Sequence, residues 1–156
     1  MVSFKEIAKL FLVKQIRVSR MMNYVACNTR SGFMRKIIKK RLDNKYHIVI
    51  SDQAIIGEGV KVPHPQNIII GGHVEIGDRC TIYQDVTLGQ NRSRYPKIGN
   101  DVVIYPGAKV IGNVRIGDQA VIGANAVVVK DVPSRAVMAG IPAKEVSFRR
   151  SLDEFY

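Results

Sequence analysis

The sequence predicts a mainly β fold, a parallel β-helix, preceded by a short helical segment. The first observation is a six-residue period that is interrupted once, with a branched aliphatic side chain at Ile70, Ile76, Ile82, Leu88, Ile98, Ile104, Val110, Ile116, Ile122 and Val128. The second observation is a small apolar residue four places after nine of these ten positions. An α-helix cannot hold a six-residue period on one face, because it has 3.6 residues per turn. A β-helix of hexapeptide repeats has this period.

Each hexad predicts one short strand and one corner, and three hexads complete one triangular coil. The aliphatic side chain points into the prism and stacks on its counterpart one coil away, as Ile98 does on Ile116. Glycine and polar residues at the corners are expected to supply backbone freedom for tight turns. The same phase begins earlier, at Ile50, Ile56 and Val62, and two extra residues shift it before Ile70.

The N-terminal segment predicts helices at residues 4–23 and 33–43, joined by a break near residues 27–32. The first helix places Phe4, Ile7, Ala8, Phe11 and Leu12 on one face, and the second has Phe33, Ile37, Ile38 and Leu42 as its apolar positions. We therefore expect a helical segment at 1–46, a β-helix domain at 47–146 and a C-terminal tail at 147–156. The helices are expected to cover the first coil and protect its exposed strand edge.

Most of the net charge of +11 lies in the N-terminal segment. Residues 1–46 carry twelve Lys and Arg against two acidic residues, whereas residues 47–156 are nearly neutral. The basic segment indicates peripheral contact with an anionic surface such as the inner face of a membrane. No nucleic-acid-binding motif is present, so nucleic acid is not an expected partner. The absence of a long apolar run and the two unrelated cysteines favour a cytoplasmic location.

Counting corners through the insertions places four residues on one edge of successive coils: His64, Gln84, Pro106 and Ala124. This edge combines a histidine with small residues. The second interruption, at residues 90–97, leaves the coil at a neighbouring corner and is polar and basic. Loops that project from a rigid scaffold are usual places for ligand contacts.

Residues 48–146 resemble the hexapeptide-repeat acyltransferases, most of all serine acetyltransferases and the related surface-polysaccharide O-acetyltransferases. The resemblance depends on the ordered runs HPQNIIIGGHVEIGDRCTIYQDVTLG, YPKIG, IGNDVVIYPGAKVIGNVRIGDQAVIGANAVVVKDVP and AGIPAK. It implies a left-handed coil, a homotrimer, and acetyl-CoA bound between neighbouring prisms as the acyl donor. It implies no metal.

The resemblance also implies roles for individual residues. His64 matches the catalytic histidine and acts as the general base on an acceptor hydroxyl. The matched cofactor-binding positions are Pro106, Ala124, Val129, Lys130 and Lys144. Gly89 is a further expected cofactor contact, with a backbone N–H of the Leu88–Gly89 region as the oxyanion donor. The expected acceptor-side residues are Gln84, Arg94 and Tyr95.

Two departures from the serine acetyltransferase pattern bear on the acceptor. Val49 stands where that branch has the aspartate that orients the catalytic histidine, and Tyr95 stands where it has a second histidine. Arg94, which matches a ligand of the substrate carboxylate, is retained. We therefore predict acetyl transfer to a hydroxyl of a sugar, a surface polysaccharide or its precursor, with serine O-acetyltransferase as the alternative.

Two other classes remain as alternatives. A non-catalytic trimeric scaffold would use the same β-helix without binding CoA. A zinc enzyme of the γ-carbonic anhydrase type needs three convergent histidines. The chain has His47, His64 and His73, and the sequence predicts that they do not share a corner.

Overall fold

The computed structural model describes residues 14–27 and 32–149. Two helices come first, α1 at Lys14–Cys27 and α2 at Gly32–Tyr46. The strands that follow are β1 Val49–Ile50, β2 Ile55–Ile56, β3 Ile69–Ile70, β4 Glu75–Ile76, β5 Thr81–Ile82, β6 Thr87–Gly89, β7 Lys97–Ile98, β8 Val103–Ile104, β9 Lys109–Ile111, β10 Arg115–Ile116, β11 Val121–Ile122, β12 Val127–Val128, β13 Ala136–Ala139 and β14 Lys144–Phe148.

The strands form three sheets, and consecutive strands from β1 to β13 lie in different sheets, whereas β13 and β14 are neighbours in one sheet. The first sheet has the order β1-β3-β6-β9-β12, the second β10-β7-β4-β2, and the third β14-β13-β11-β8-β5. The pairs are parallel apart from β13 with β14. The chain thus winds around one axis as a β-helix, and the predicted fold class is confirmed. The hand of the coil stays a prediction from the resemblance.

Three edges separate the sheets: a histidine edge, a loop edge and a glycine edge, so called after the residues that each carries. The histidine edge joins the third sheet to the first, at residues 63–67, 83–86, 105–107 and 123–125. The loop edge joins the first sheet to the second, at residues 51–54, 71–74, 90–96, 112–114 and 129–131. The glycine edge joins the second sheet to the third, at residues 57–60, 77–80, 99–102, 117–120 and 133–135.

The interior of the prism is the predicted column of aliphatic side chains. All ten repeat positions are at most 5% exposed, and so are their nine small partners. Equivalent residues stack in register, as Ile98 does on Ile116 and Leu88 on Val110. Burying each such side chain contributes roughly 1.5–3 kcal/mol, so the column dominates the stability of the coil.

The two helices cap the first coil. Met22 and Leu42 are fully buried in one cluster with the interior of the coil. The N–H of Val62 has no strand above it to pair with and donates to the Ser19 Oγ at 3.1 Å. Arg35 donates through Nη2 to the carbonyl of Asp52 at 2.9 Å. These bonds satisfy polar groups at the end of the coil, as the expected cap requires.

The helix boundaries differ from the sequence prediction. The described part of the first helix continues to Cys27 instead of ending at residue 23, and residues 4–13 lie outside the described residues. The second helix extends three residues past the predicted end at 43, because Tyr46 is buried against the coil and prolongs the apolar stripe. Two residues that the sequence assigned to the apolar stripe do not lie on the buried face, since Phe33 is 77% exposed and Ile37 is 45% exposed.

Regular structure continues past the predicted C-terminal boundary of the β-helix domain at residue 146. Strand β14 runs to Phe148, and Arg149 is buried. The Arg149 N–H donates to the carbonyl of Arg135 at 2.7 Å, and its Nη1 lies 3.3 Å from the carbonyl of Asp101. The sheet therefore includes residues that sequence reasoning assigned to a tail.

Glycines at the ends of the repeats serve close approach between coils. Gly77 does not have a positive φ, whereas non-glycine corner residues such as Asn67 and Asp85 do. A Cβ added at Gly77 would lie 2.6 Å from the carbonyl oxygen of Gly99 in the next coil. The expectation that these glycines supply backbone freedom is therefore wrong at this position. The glycine is required because the neighbouring backbone occupies the space of a side chain.

Candidate active site

The histidine edge brings together the four residues predicted to share it. The N–H of Gly107 donates to the carbonyl of Gln84 at 3.0 Å, and the N–H of Asn125 donates to the carbonyl of Pro106 at 2.9 Å. These bonds stack Gln84, Pro106 and the Ala124 corner on successive coils. The first corner of this edge is two residues longer, and it carries an exposed His64.

Aromatic rings continue the edge below His64. The imidazole centroid lies 6.0 Å from the Tyr83 ring centroid, with 31° between the planes. Tyr83 is stacked on Tyr105 at 5.2 Å and 6°. His64 is therefore aligned with Tyr83, one position before the Gln84 that corner counting assigned to it. The extra residues of the first corner account for the offset.

The edge below these rings is walled by small groups. Pro106 and Gly107 are half-buried, and Ala124 is exposed with no bulky side chain on its corner. The side-chain oxygen Oε1 of Gln84 is buried and has no hydrogen-bond partner. A buried acceptor without a partner costs roughly 1–3 kcal/mol, so a donor from a bound ligand at this place would be favourable.

The loop at residues 90–96 leaves the neighbouring corner, as predicted, but it is a tight hairpin. The N–H of Asn91 donates to the Arg94 carbonyl at 3.0 Å, and the N–H of Arg94 donates to the Asn91 carbonyl at 3.1 Å. Arg92 and Ser93 between them have φ values of +50° and +61°, the geometry of a type I′ turn. Tyr95 folds back against His73, with ring centroids 5.3 Å apart.

The predicted site residues divide between two edges of the prism. The histidine edge holds His64, Gln84, Pro106 and Ala124, and Lys144 begins β14 opposite Ala139, close to the same edge. The loop edge holds Arg94, Tyr95, Val129 and Lys130, and Gly89 lies directly before it. Gly89 is the last residue of β6 and pairs with Ile111. One prism keeps the two sets on different corners, so a single chain does not assemble them.

A cavity of about 410 Å³ lies beside the strand that leads into His64. Helix α1 contributes Ser19, Arg20 and Asn23, and residues 59–63 form the other wall. The volume falls in the range of about 300–1,000 Å³ that small-molecule sites occupy. The Oδ1 atom of Asn23 is buried and has no hydrogen-bond partner. The lining of the cavity is mainly apolar, with polar groups from Ser19, Arg20 and Asn23, and Pro63, the residue before His64, lies at its wall.

Perturbed carboxylates lie away from the histidine edge. On the glycine edge, the Arg79 guanidinium holds the pKa of Asp101 below its usual value through bonds of 2.9 and 2.8 Å. On the loop edge, a hydrogen bond from Lys39 lowers the pKa of Asp52. Neither carboxylate is placed to orient His64, so we regard both pairs as structural.

Other reactive side chains do not form a second site. Cys80 is fully buried, burial raises the pKa of its thiol to about 11, and its Sγ lies 3.1 Å from the Gly99 carbonyl. It is therefore a poor nucleophile. The three histidines stand at the end of α2, the histidine edge and the loop edge. Among residues 14–27 and 32–149, no group of three His, Cys, Asp or Glu side chains could hold a metal ion.

Sequence reasoning missed the aromatic neighbours of His64. Tyr83 and Tyr105 each follow a repeat aliphatic directly, at Ile82 and Ile104. Because these aliphatics stack in register, the two tyrosines had to meet on one edge. Counting the position after each aliphatic would have found them.

Comparison with known proteins gives consistent results. The family described as bacterial transferase hexapeptide (six repeats) matches residues 95–130. A serine acetyltransferase of Synechococcus elongatus is 42% identical over 103 residues, which are 64% of this chain and 42% of that protein. The chain spans less than half the length of three curated relatives that it matches.

Solved structures agree in fold. The serine acetyltransferase of Neisseria gonorrhoeae has a TM-score of 0.75 and 31% identity, covering 87% of this chain and 53% of that one. A serine acetyltransferase in complex with CoA has a TM-score of 0.71 and 34% identity, covering 84% of this chain and 55% of that one.

Proposed function

We propose that the chain is a hexapeptide-repeat transferase, an acetyl-CoA-dependent O-acetyltransferase with His64 as its general base. The observation that carries the proposal is the edge on which an exposed histidine stands above the small-walled corners of Pro106 and Ala124. A pantetheine arm must lie against backbone, and small corner residues permit this approach. A related serine acetyltransferase has been solved with CoA bound.

The active site is proposed to lie between neighbouring prisms of a homotrimer. The expected site residues divide between the histidine edge and the loop edge, and one prism holds these edges apart. A threefold assembly that sets the histidine edge of one prism beside the loop edge of the next would join the two sets. Arg94 and Tyr95 would then come from a second copy of the chain.

The proposed reaction is direct transfer. Neutral His64 accepts the proton of the acceptor hydroxyl as that oxygen attacks the thioester carbonyl. The tetrahedral intermediate collapses by breaking the carbon–sulfur bond, and the imidazolium returns its proton to the departing sulfur. The products are the acetyl ester and free CoA. A covalent enzyme intermediate is not required, which fits the buried and weakly acidic Cys80.

Serine is the first candidate acceptor, and the comparisons support it better than the sugar acceptor predicted from the sequence. The relatives named above are serine acetyltransferases. Arg94, which matches the carboxylate ligand of that branch, is exposed directly after the turn of the hairpin. It lines a polar cavity of about 440 Å³ together with Asn91, Arg92 and Asn113.

A sugar hydroxyl, on a surface polysaccharide or its precursor, is the second candidate. Two observations favour it. Val49 and Tyr95 replace acceptor-side groups of the serine branch, so the surroundings of His64 differ from those suited to free serine. The cavity beside His64, between α1 and residues 59–63, has room and hydrogen-bonding groups for a ring-sized acceptor.

Thiol release from acetyl-CoA decides between the acceptors. The assay measures thiol release with serine, with simple sugars, and with oligosaccharides or their lipid-linked forms as acceptors. We expect the rate of thiol release to depend on the presence of the correct acceptor. Saturable turnover with serine alone supports the first candidate, and turnover with sugars alone supports the second. Thiol release that is the same with and without every acceptor would contradict a transferase of this class.

Replacing Arg94 by Ala is expected to raise the KM for the acceptor roughly 10- to 150-fold and to leave the KM for acetyl-CoA nearly unchanged. The lost charge-assisted hydrogen bond contributes about 1.5–3 kcal/mol to acceptor binding. Steady-state kinetics with each substrate varied in turn would measure both constants. The double replacement of Arg94 and Tyr95 should show the same pattern more strongly.

Arg115→Ala is the matched control, because Arg115 is also an exposed arginine but lies on β10, outside the cavity that Arg94 lines. We expect it to change neither KM by more than about twofold. A rise in the acetyl-CoA KM for Arg94→Ala, with an unchanged acceptor KM, would assign Arg94 to the cofactor instead.

Contact with an anionic membrane is a separate proposal, supported by the exposed face of α2. Phe33 and Ile37 are exposed four residues apart, and the exposed Lys36 and Lys40 accompany them on this face. Within the described residues, no helix is long and apolar enough to span a membrane. Each Lys or Arg near an anionic surface contributes on the order of 1 kcal/mol.

Sedimentation with anionic liposomes at low and high salt tests this contact. We expect binding that falls as salt rises, since the charges are screened within a Debye length. The double variant Phe33→Ser and Ile37→Ser should bind less, whereas Val146→Ser, at an exposed apolar residue of β14, should bind like the parent. Binding that is insensitive to salt and to Phe33 and Ile37 would leave the helices as a cap alone.

A further inference from the structure

The aromatic column on the histidine edge places a ring directly against the candidate base. His64 lies over Tyr83, and Tyr83 lies over Tyr105, at one position on three successive coils. Tyr83 and Tyr105 are half-buried, so their rings are held by the coil, whereas His64 is exposed. The parallel planes of the two tyrosines, 6° apart, fix the ring that the imidazole meets.

His64 has few other restraints in a single chain. Over residues 14–27 and 32–149, no salt bridge or hydrogen bond holds the imidazole, and the ring it contacts is that of Tyr83. Val49, which by resemblance matches the aspartate that orients the catalytic histidine in serine acetyltransferases, is aliphatic. A general base needs a fixed orientation, because its nitrogen must be within about 3 Å of the proton that it accepts.

We propose that Tyr83 is the positioning residue for His64, acting through ring contact in place of a carboxylate. This inference rests on the proposed function. An aromatic pair contributes about 0.5–1.5 kcal/mol beyond its buried area, which corresponds to a roughly 2- to 10-fold preference for one side-chain orientation. Ring contact leaves both imidazole nitrogens free, one for the acceptor hydroxyl and one for a second hydrogen bond.

Tyr105 supports this arrangement from one coil below. It is stacked on the opposite side of Tyr83 and limits the tilt of that ring. Orientation by ring contact does not need the phenol oxygen of Tyr83. Substitutions that keep the aromatic ring can therefore be distinguished from substitutions that remove it. A phenylalanine retains the ring face, whereas leucine or methionine retains apolar bulk without it.

The test compares Tyr83→Leu, Tyr83→Met and Tyr83→Phe by steady-state thiol release from acetyl-CoA. We expect kcat to fall about tenfold for Leu and Met, with the KM for acetyl-CoA within about twofold of the parent. Tyr83→Phe should keep kcat within about twofold. Thermal melting and mass measurement in solution confirm that each variant is folded and assembled like the parent.

A double-mutant cycle with His64→Ala separates positioning from general damage to the coil. If Tyr83 acts through His64, Tyr83→Leu should cause no further loss once His64 is absent. A tenfold loss in that background, or a Tyr83→Phe enzyme as impaired as the leucine variant, would overturn the proposal. So would full activity of Tyr83→Leu. If His64→Ala itself keeps full activity, the proposed function fails instead, and the two failures are distinguishable.

Discussion

Replacing His64 by Ala is expected to lower turnover by about 10²- to 10⁴-fold while leaving acetyl-CoA affinity and the assembly intact. General-base catalysis typically contributes this much to the rate. The side chain is exposed, and its ring contacts Tyr83 without a hydrogen bond, so its removal should disturb the coil little. Steady-state thiol release and a CoA titration on the same preparation measure the two properties.

His47→Asn is the matched control for this variant. His47 is also an exposed histidine, and it lies after α2 with a φ of +51°, a conformation that asparagine tolerates. We expect turnover within about twofold of the parent. Turnover of the His64→Ala enzyme above half of the parent value would remove His64 from the mechanism.

Gly77→Ala is expected to destabilise the coil by about 2–3 kcal/mol. The added Cβ would lie 2.6 Å from the Gly99 carbonyl oxygen and 2.7 Å from its carbonyl carbon. These atoms belong to the backbone of the next coil, so relief requires the coils to move apart. Overpacking of this kind typically costs 1–3 kcal/mol. For a chain of this length, we expect the melting temperature to fall by roughly 5–10 °C.

Gly32→Ala is the comparison, because a Cβ at Gly32 would meet no heavy atom within 4 Å. Its melting temperature should stay within about 2 °C of the parent. Equal melting temperatures for the two variants would show that the coils yield to a methyl group, and the close-approach account of the glycine edge would fail.

The fold was predictable because every hexad has the same pattern of one buried aliphatic residue and one small apolar residue. Ile98 and Ile116 are buried and stacked as the six-residue period requires, and the corner count placed Pro106 and Ala124 on one edge. The buried faces of the helices were less predictable, because the sequence does not show whether an apolar residue such as Phe33 packs against the coil or is exposed. The role of Gly77 was missed for a related reason, since contact with the next coil is not visible in one hexad.

The site was predictable as a set of corners but not as an assembly. An insertion at a corner changes which residues of neighbouring coils are aligned. The two extra residues before Ile68 place His64 over Tyr83 instead of over Gln84. The hairpin at 90–96 departs where the sequence indicated, yet Tyr95 folds back onto His73. The division of the expected residues between two edges follows from the winding of the chain, and the corner count had already placed the loop at residues 90–97 on a neighbouring corner.

Calorimetric titration with acetyl-CoA tests the central claim most directly. The account predicts saturable binding with one site per chain, displacement by free CoA and no binding of a small acetyl ester alone. His64→Ala should bind acetyl-CoA like the parent. Absence of binding at millimolar acetyl-CoA, by protein that is folded and assembled, would contradict the account and leave the β-helix as a non-catalytic scaffold.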